Sequence, residues 1–285
     1  MTAASEPDAM DAAYDTVLKL FRGGSVAVLT GAGISTESGI PDYRGPGTLK
    51  RARAPMRFSD YVATPENRAR YWARSMVGWK RFSRAEPNDG HRALATLESE
   101  GALAGLITQN VDRLHRRAGH PAVIELHGAL EETRCLKCGV VESRHTIQRE
   151  LLELNPHLRD RADELAPDGD ALLPDELLHD FVIPTCHRCG GTMKPNVVFF
   201  GENVPKPTVD AAYDVVDKAS SLVVIGSSLA VFSGLRFVHR ARDRNIPVAV
   251  INLGETRGDT YATACLHRAS GAALTAIVRE LSSTR

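Results

Sequence analysis

The chain lacks net charge of either sign: 35 Lys and Arg residues balance 35 Asp and Glu. A protein built to hold polyanions carries a basic excess, so nucleic acid is not an expected partner. Long apolar runs are missing too. No stretch approaches the roughly 18 consecutive apolar residues of a membrane helix, and no membrane partner is expected. The first residues, "MTAASEPDAMDAAYD", are acidic. They have neither the basic-then-apolar order of a secretory leader nor the Arg-rich, acid-poor character of a transit peptide, so the expected location is the cytoplasm. Cysteine is sparse. Of five, Cys135, Cys138, Cys186 and Cys189 form two Cys-x-x-Cys pairs and Cys265 stands alone. Without an export signal, such pairs argue for a metal rather than disulfides.

What the chain does have is 285 residues that are 43% hydrophobic, enough for one large domain or a large and a small one. "DAAYDTVLKLFRGG" carries apolar residues at helical spacing and stops on Gly23-Gly24. "SVAVLTGAG" is a buried strand running into a turn. From 46 to 90 the text is rich in Arg and aromatics and predicts short helices beside the main sheet. "NDGHRALATLESEG" predicts a helix capped by Asn88 or Asp89 and ended by Gly101. "LAGLITQN" is a second buried strand. Residues 131–194 hold the cysteine pairs around an acidic, Pro- and Gly-broken middle, either a solvated insertion with short helices or an interaction surface. Strands resume at "NVVFF", "SLVVIGSS" and "VAVINLG", with helical patterns before the last two. Strands alternating with helices define an α/β fold with a parallel, doubly wound, Rossmann-like sheet. The expected division is a sheet domain over 1–45, 88–130 and 195–285, and a smaller composite lobe. That lobe has a helical module (46–87) and a four-cysteine zinc module (131–194).

Open parallel sheets bind ligands at the carboxyl ends of their strands. Here "LTGAGIS", "ITQNVD", "VIGSS" and "INLG" all end in polar or Gly-rich text. Gly31-Ala32-Gly33 suits a pyrophosphate, since glycines let the backbone approach an anion and turn its N–H groups inward. Yet the dehydrogenase fingerprint is incomplete. Position 36 is Thr where a third Gly belongs, and the region about 20 residues on is basic, "LKRARAP", where an acid should hold the ribose. The loop therefore binds NAD in a mode other than hydride transfer, if it binds NAD. Asp42, Tyr43 and Arg44 follow as a charged, aromatic lid; Arg44 alone could equally pair a phosphate or a surface acid. "ELHG" places His127 before a Gly at the seam between lobes, where an imidazole can serve as general base. The two Cys-x-x-Cys knuckles, separated by residues 139–185, complete a tetrahedral site for structural zinc. A redox pair is the alternative, and His187 is an alternative ligand. Cys265 is expected to be a small buried residue.

In this order, "GAGISTESGIPDYR", "TQNVDRLHRRAG", "ELHG", the two cysteine pairs, "KPNVVFFGE", "GSSLAVFSG" and "INLG" closely resemble the sirtuin family of NAD-dependent protein deacylases. "RYWARSMVGW", "LAPDGDALL" and the long gap between knuckles resemble its sirtuin-4-type, class II branch. The resemblance implies that NAD lies inverted with its nicotinamide in a closed pocket. The amide oxygen of an acyl-lysine attacks C1′ of the ribose, nicotinamide leaves, and the acyl group ends on ADP-ribose. It implies that His127 deprotonates a ribose hydroxyl, and that Asn110 and Asp112 position the ribose and the carboxamide. Gln109 and Val111 would flank them. Ala32, Ile34, Ser35, Thr36, Asp42, Tyr43 and Arg44 would form the pocket and its cofactor loop. Gly226, Ser227 and Ser228 would hold phosphate and ribose. Asn252, Leu253, Gly254 and Ser270 would hold the adenosine end. An extended peptide would dock between "VVFFGE" and "SSLAVF", touching Val198, Phe199, Gly201, Glu202 and Val231. Val198 is the candidate backbone contact to the substrate lysine.

The expected partners are acylated lysines on proteins, with the enzyme a monomer or weak oligomer. Two other functions stay open from sequence: mono-ADP-ribosyl transfer from the same activated C1′, and a non-catalytic NAD sensor or binding module. Tyr71 and Arg74, a Tyr-x-x-Arg spacing, either read an acidic acyl group or pack the helical lobe.

Overall fold

The structure, a computed structural model, describes residues 6–45, 55–159, 161, 166, 168–178 and 180–283. The basic "LKRA" text at 49–52 and part of the acidic insertion lie outside them. In chain order the strands are β1 (Val26–Thr30), β2 (Leu103–Thr108), β3 (Val123–Glu125), β4 (Gly128–Cys135), β5 (Val141–Ser143), β6 (Met193–Val197), β7 (Ser221–Ile225), β8 (Val248–Ile251) and β9 (Ala264–Leu266). The helices are α1 (Glu6–Gly23), α2 (Phe58–Ala63), α3 (Pro65–Phe82), α4 (Asp89–Ser99), α5 (Leu114–Arg117), α6 (Arg144–Leu154), α7 (Lys206–Lys218), α8 (Phe232–Asp243) and α9 (Ser270–Ser283).

Among the described residues these strands make two sheets. Six pair in the order β3-β2-β1-β7-β8-β9, all parallel, and β5-β4-β6 form a small antiparallel sheet. Alternation along the central strands sorts side chains into two cores. Val26, Val28, Val223, Ile225, Ala249 and Ile251 face α1, α4 and α9. Ala27, Leu29, Leu222, Val224, Val248 and Val250 face α7 and α8. Near-continuous apolar strands are what burial on both faces demands.

The order β1-β7 at the centre puts the first strand beside one almost 200 residues later in sequence, and their carboxyl ends meet. Three glycines make that approach possible. A Cβ on Gly31 would lie 2.7 Å from the Ser227 Cβ, and one on Gly33 would lie 2.8 Å from the Gly226 carbonyl oxygen. Gly226 itself has φ +60° and would drive a Cβ to 2.4 Å from the Ile34 nitrogen.

The small sheet packs with α2, α3 and α6 around an aromatic core that includes Tyr61, Tyr71, Trp72 and Phe199. Arg144 is fully buried there, its guanidinium 5.3 and 5.0 Å from the Trp72 and Trp79 rings and bonded to Gln148. Burial draws its pKa down to about 10, which still leaves it charged at neutral pH.

Three expectations change. The aromatic stretch does not break into short helices throughout, because Thr64 caps and Pro65 starts the 18-residue α3. The "NVVFF" strand is shifted to Met193–Val197 and belongs to the small sheet, antiparallel to β4. Cys265 is only partly buried, on the edge strand β9, where burial pushes its thiol up to about 11.

Candidate functional site

A cleft of about 800 Å³ opens at the carboxyl ends of β1, β2, β7 and β8 and extends to the segment after β6. That is the upper end of the roughly 300–1,000 Å³ range of small-molecule sites. From β1 it receives Gly31, Ala32, Gly33, Ser35 and Thr36, which form a short 3₁₀ turn, and then Asp42, Tyr43 and Arg44. From β2 come Gln109, Asn110, Val111 and Asp112; from β7, Gly226, Ser227, Ser228 and Val231. Asn252, Leu253 and Gly254 follow β8, and Ser270 begins α9. Val198, Phe199, Gly201 and Glu202 form the opposite wall, with His127. Ile34 does not line the cleft. It is buried in the core beneath the turn, and its carbonyl accepts from Asn88 Nδ2.

The turn is built differently from expectation. The N–H groups of Gly31 and Gly33 do not turn into the cleft; they donate to the carbonyls of Ile225 and Gly226 at 3.0 and 2.8 Å. The glycines therefore serve the close approach of β1 to β7. Behind the turn, Ser35 is the hub. Its hydroxyl donates to Asp112 Oδ2 at 2.7 Å and accepts from Asn110 Nδ2 at 3.0 Å. Asn110 Nδ2 also donates to the Gly31 carbonyl at 3.1 Å. Both its donors are spent, so what Asn110 offers a ligand is an acceptor, its carboxamide oxygen. Burial raises the Asp112 carboxyl, and the bonds from the Leu114 N–H and Ser35 work against that rise.

Deeper still lies a row of imidazoles. The His91 and His115 rings are 4.8 Å apart, and those of His115 and His120 5.3 Å. His115 Nε2 meets Thr30 Oγ1 at 2.9 Å, and His91 Nε2 approaches Ser35 Oγ at 3.5 Å. Burial pushes His91 down to about 3 and His115 well below its ordinary value, so both are neutral at pH 7.

His127 occupies the connection between β3 of the large sheet and β4 of the small one. Gly128 follows with φ +77°, where a Cβ would lie 2.1 Å from the Asn196 carbonyl oxygen. His127 Nδ1 meets the Gln109 carbonyl at 2.9 Å, and Nε2 meets Ser233 Oγ at 2.9 Å. A carbonyl can only accept, so Nδ1 carries the proton. Burial lowers the imidazole pKa, the bond to Gln109 raises it, and the Arg236 charge lowers it. The ring is then neutral near pH 7 with a lone pair at Nε2, the form a general base needs. Gln109 is itself held, its Oε1 accepting from Ser227 Oγ at 2.6 Å.

On the opposite wall the Val198 N–H is taken by the His127 carbonyl at 2.8 Å. A substrate contact at Val198 must therefore use its carbonyl. Glu202 accepts from the Phe199 N–H at 2.7 Å and pairs with Lys194 at 2.9 Å. The Tyr43 ring stands edge-on to Phe200 at 6.3 Å across the cleft. Tyr71 lines the cleft, while Arg74 is not among the lining side chains and acts on the half-buried Asp168 and the buried Asp170. Of the Tyr-x-x-Arg pair, Tyr71 is the member that lines the cleft. Sequence reasoning missed several lining residues: Ile40, Phe82 and Asp168, and, on α8, Ser233 and Arg236; Phe232, the end of the "SSLAVF" stretch expected beside the peptide, does line the cleft. The only signal for Ser233 was its place within "GSSLAVFSG", and for Arg236 its position just after it.

The four paired cysteines converge. Their sulfurs lie within 4.8 Å of one another, with Cys135–Cys189 and Cys138–Cys186 each at 3.6 Å. Four thiolates about 2.3 Å from a tetrahedral zinc stand about 3.8 Å apart, so the set fits that ion with a closed shell. The Cys138 and Lys137 N–H groups point at the Cys135 sulfur and draw its thiol down to about 6, Cys138 the more strongly. Gly191 leaves room, since a Cβ there would sit 2.9 Å from the Cys135 sulfur. His187 is not part of the cluster. It is exposed and bonded to Glu142 and Glu150, both at 2.7 Å.

The sequence and the fold have counterparts among known proteins. Residues 31–233 match the Sir2 family. The chain is 50% identical over 265 residues to NAD-dependent protein deacetylase 1 of Streptomyces coelicolor, covering 93% of this chain and 89% of that protein. It is 48% identical over 241 residues to NAD-dependent protein deacylase Sirt4 of Drosophila melanogaster, covering 84% and 77%. A solved Sir2–p53 peptide–NAD+ complex superposes with TM-score 0.74 at 31% identity, covering 94% of this chain and 98% of that one. A structure of Sir2 bound to a propionylated peptide superposes with TM-score 0.73 at 31% identity, covering 93% and 97%. The chain belongs to the Sir2 family.

Proposed function

We propose that this protein is an NAD-dependent protein lysine deacylase that releases nicotinamide and O-acyl-ADP-ribose. The observation that carries the reading is the neutral, Nδ1-protonated imidazole of His127 facing the same cleft as Asn110 and Asp112. NAD is a consumed substrate: its glycosidic bond breaks as the acyl oxygen takes the place of nicotinamide at C1′. The ribose hydroxyl then bonds to the acyl carbon, the lysine amine leaves, and one water supplies the oxygen that leaves the acyl group as an ester on ADP-ribose. His127 Nε2 takes the proton of a ribose hydroxyl. The Asn110 carboxamide oxygen accepts from the ribose or the nicotinamide amide, and Asp112 accepts from that amide. The Val198 carbonyl accepts from the amide N–H of the acyl-lysine. Tyr43 and Phe200 narrow the mouth and keep out water that would hydrolyse the activated cofactor. Gly226–Ser228 and Asn252–Gly254 hold phosphate and adenosine, with Ser270 beside them. Zinc, held by Cys135, Cys138, Cys186 and Cys189, supplies a structural crosslink with no open position.

The same reading divides the chain near the bounds the sequence suggests, a sheet domain over 1–45, 88–130 and 195–285 and the small lobe over the rest, except that residues 128–130 of β4 and 195–197 of β6 go with the small sheet. Balanced charge supports a protein without nucleic-acid partners, and no described helix is long and apolar enough to cross a membrane. Cytoplasmic residence and a monomeric or weakly oligomeric state belong to the proposal as well. Relatives named deacetylase and relatives named deacylase or lipoamidase match at similar identity. Acyl preference is therefore a matter for measurement. Acetyl, propionyl, glutaryl and lipoyl peptides are incubated with NAD, and nicotinamide and acyl-ADP-ribose are followed. Stoichiometric appearance of both with at least one peptide is expected. Label appearing on protein without acyl-ADP-ribose points to ADP-ribosyl transfer. NAD binding with no turnover on any peptide leaves a sensor.

A further inference from the structure

α8 begins without a side-chain cap. Its N-cap is Val231, which offers no acceptor, although Ser233 stands two residues on, in the first turn. Serine near a helix start ordinarily turns its hydroxyl to the helix's own orphan N–H groups. Here Ser233 Oγ lies 2.9 Å from His127 Nε2. The helix is brought close enough by Gly234, where a Cβ would lie 2.5 Å from Gln109 Nε2. Gln109 is the residue whose carbonyl fixes the other ring nitrogen. One face of α8 and the end of β2 thus grip the imidazole from both sides.

The proton assignment follows from the acceptor-only carbonyl. With Nδ1–H donated to Gln109, neutral Nε2 has a lone pair and nothing to donate, so the Ser233 hydroxyl must be the donor. We propose that Ser233 is a positioning residue for His127: its hydroxyl holds the Nε2 lone pair on the axis along which the ribose hydroxyl arrives, and gives way to that hydroxyl when NAD enters. The proton that reaches Nε2 in the reaction is the ribose proton, and Ser233 keeps its own. The inference rests on His127 being the base. It adds a residue of the α8 turn to a set otherwise drawn from strand ends and the β3–β4 connection.

A bond donated to the lone pair stabilises the neutral ring and opposes its protonation. Removing it makes the imidazole more basic. The acid limb of kcat/KM, below which the base is protonated and idle, then moves to higher pH. A net hydrogen bond of this kind corresponds to about 0.5–1 pH unit. Other charges bear on the ring as well. Arg236, one turn further along α8, opposes protonation, and Asp112 after β2 and Glu202 after β6 line the same cleft. None of these changes in a Ser233 variant.

The test uses the full-length protein. Ser233→Ala, Ser233→Thr and His127→Ala are compared in two ways. The first is the pH profile of kcat/KM with the best peptide of the acyl panel. The second is NMR titration of ¹³C/¹⁵N-histidine-labelled protein without NAD, His127→Ala serving to assign the resonance. Ser233→Ala is expected to raise the His127 pKa and the acid limb together by about 0.5–1 unit. It should lower kcat about 3- to 10-fold with no rise in KM for NAD, since the lost group competes with the ribose. Ser233→Thr, which keeps the hydroxyl, should restore all three. If Ser233→Ala matches the wild type in titration, limb and kcat while His127→Ala is inactive, the Ser233 proposal is wrong and the base assignment stands. If His127→Ala turns over normally, the base assignment falls and takes the Ser233 role with it.

Discussion

Replacing His91 with Gln removes one titrating group from the buried pair His91 and His115. His91 is fully buried on α4, and its pKa sits at about 3, displaced by burial first and then by the charges of His120 and Arg92. In the unfolded chain the same ring takes its proton near its ordinary value of 6.5. The folded value is the lower one, so the unfolded state binds more protons as pH falls below 6.5. Stability is therefore complete above that pH and is lost as pH falls toward 3. At pH 5 His91 alone removes about 2 kcal/mol. His115, displaced in the same direction, adds to the loss. Against a total of about 5–15 kcal/mol for a typical domain, His91 and His115 together are a considerable acid liability. Urea unfolding followed by the fluorescence of Trp72 and Trp79, both buried, measures it at pH 7.5, 6.5, 5.5 and 5.0. Gln keeps an acceptor for the Asn88 N–H that His91 Nδ1 now takes at 3.3 Å. Between pH 7.5 and 5 the wild type should lose about 2 kcal/mol more than His91→Gln. Effects common to both proteins cancel in the difference, including proton competition for the four thiolates and the raised carboxyls of Asp112, Asp168 and Asp170. Equal losses in the two proteins would refute the argument.

Gly226→Ala forces a residue at φ +60° and drives a Cβ to 2.4 Å from the Ile34 nitrogen. It should cost about 3 kcal/mol or more by urea unfolding. Gly39→Ala, at φ +82° with nothing within 4 Å, should cost only about 1 kcal/mol. His127→Ala should retain NAD binding by calorimetry while deacylation falls by several orders of magnitude. Cys186→Ser, or exhaustive chelation with loss of zinc measured by metal analysis, should lower the melting temperature and abolish activity together. Survival of both in metal-free protein would remove the structural role of the site.

The central strands were legible because each is an apolar run ending in polar text, and the four-cysteine site because its spacing is so specific. The edge strands β3 and β9 were not, since "VIE" and "ACL" are too short to show a period. "NVVFF" misled by its hydrophobicity. The strand lies three residues earlier and includes Lys194, buried over the Phe199 ring and paired with Glu202. A lysine reads as a surface residue until its partner is known. The glycines of the first turn were legible as glycines but not for their purpose. What they admit is the neighbouring strand end, and that depends on β1 lying beside β7. Ser233 carried no signal beyond its place in the "GSSLAVFSG" text, because its significance is a contact 106 positions away in sequence.

A short bridge links the two sheets at the place where chemistry is expected. Only Leu126 and His127 separate the last residue of β3 from the first of β4. A swing of one sheet against the other that bends the chain at this link would turn the imidazole with it. Such a swing would separate Nδ1 from Gln109 or Nε2 from Ser233, which belong to the large sheet and its helix. The orientation of this one ring is thus tied to the relative position of the two sheets.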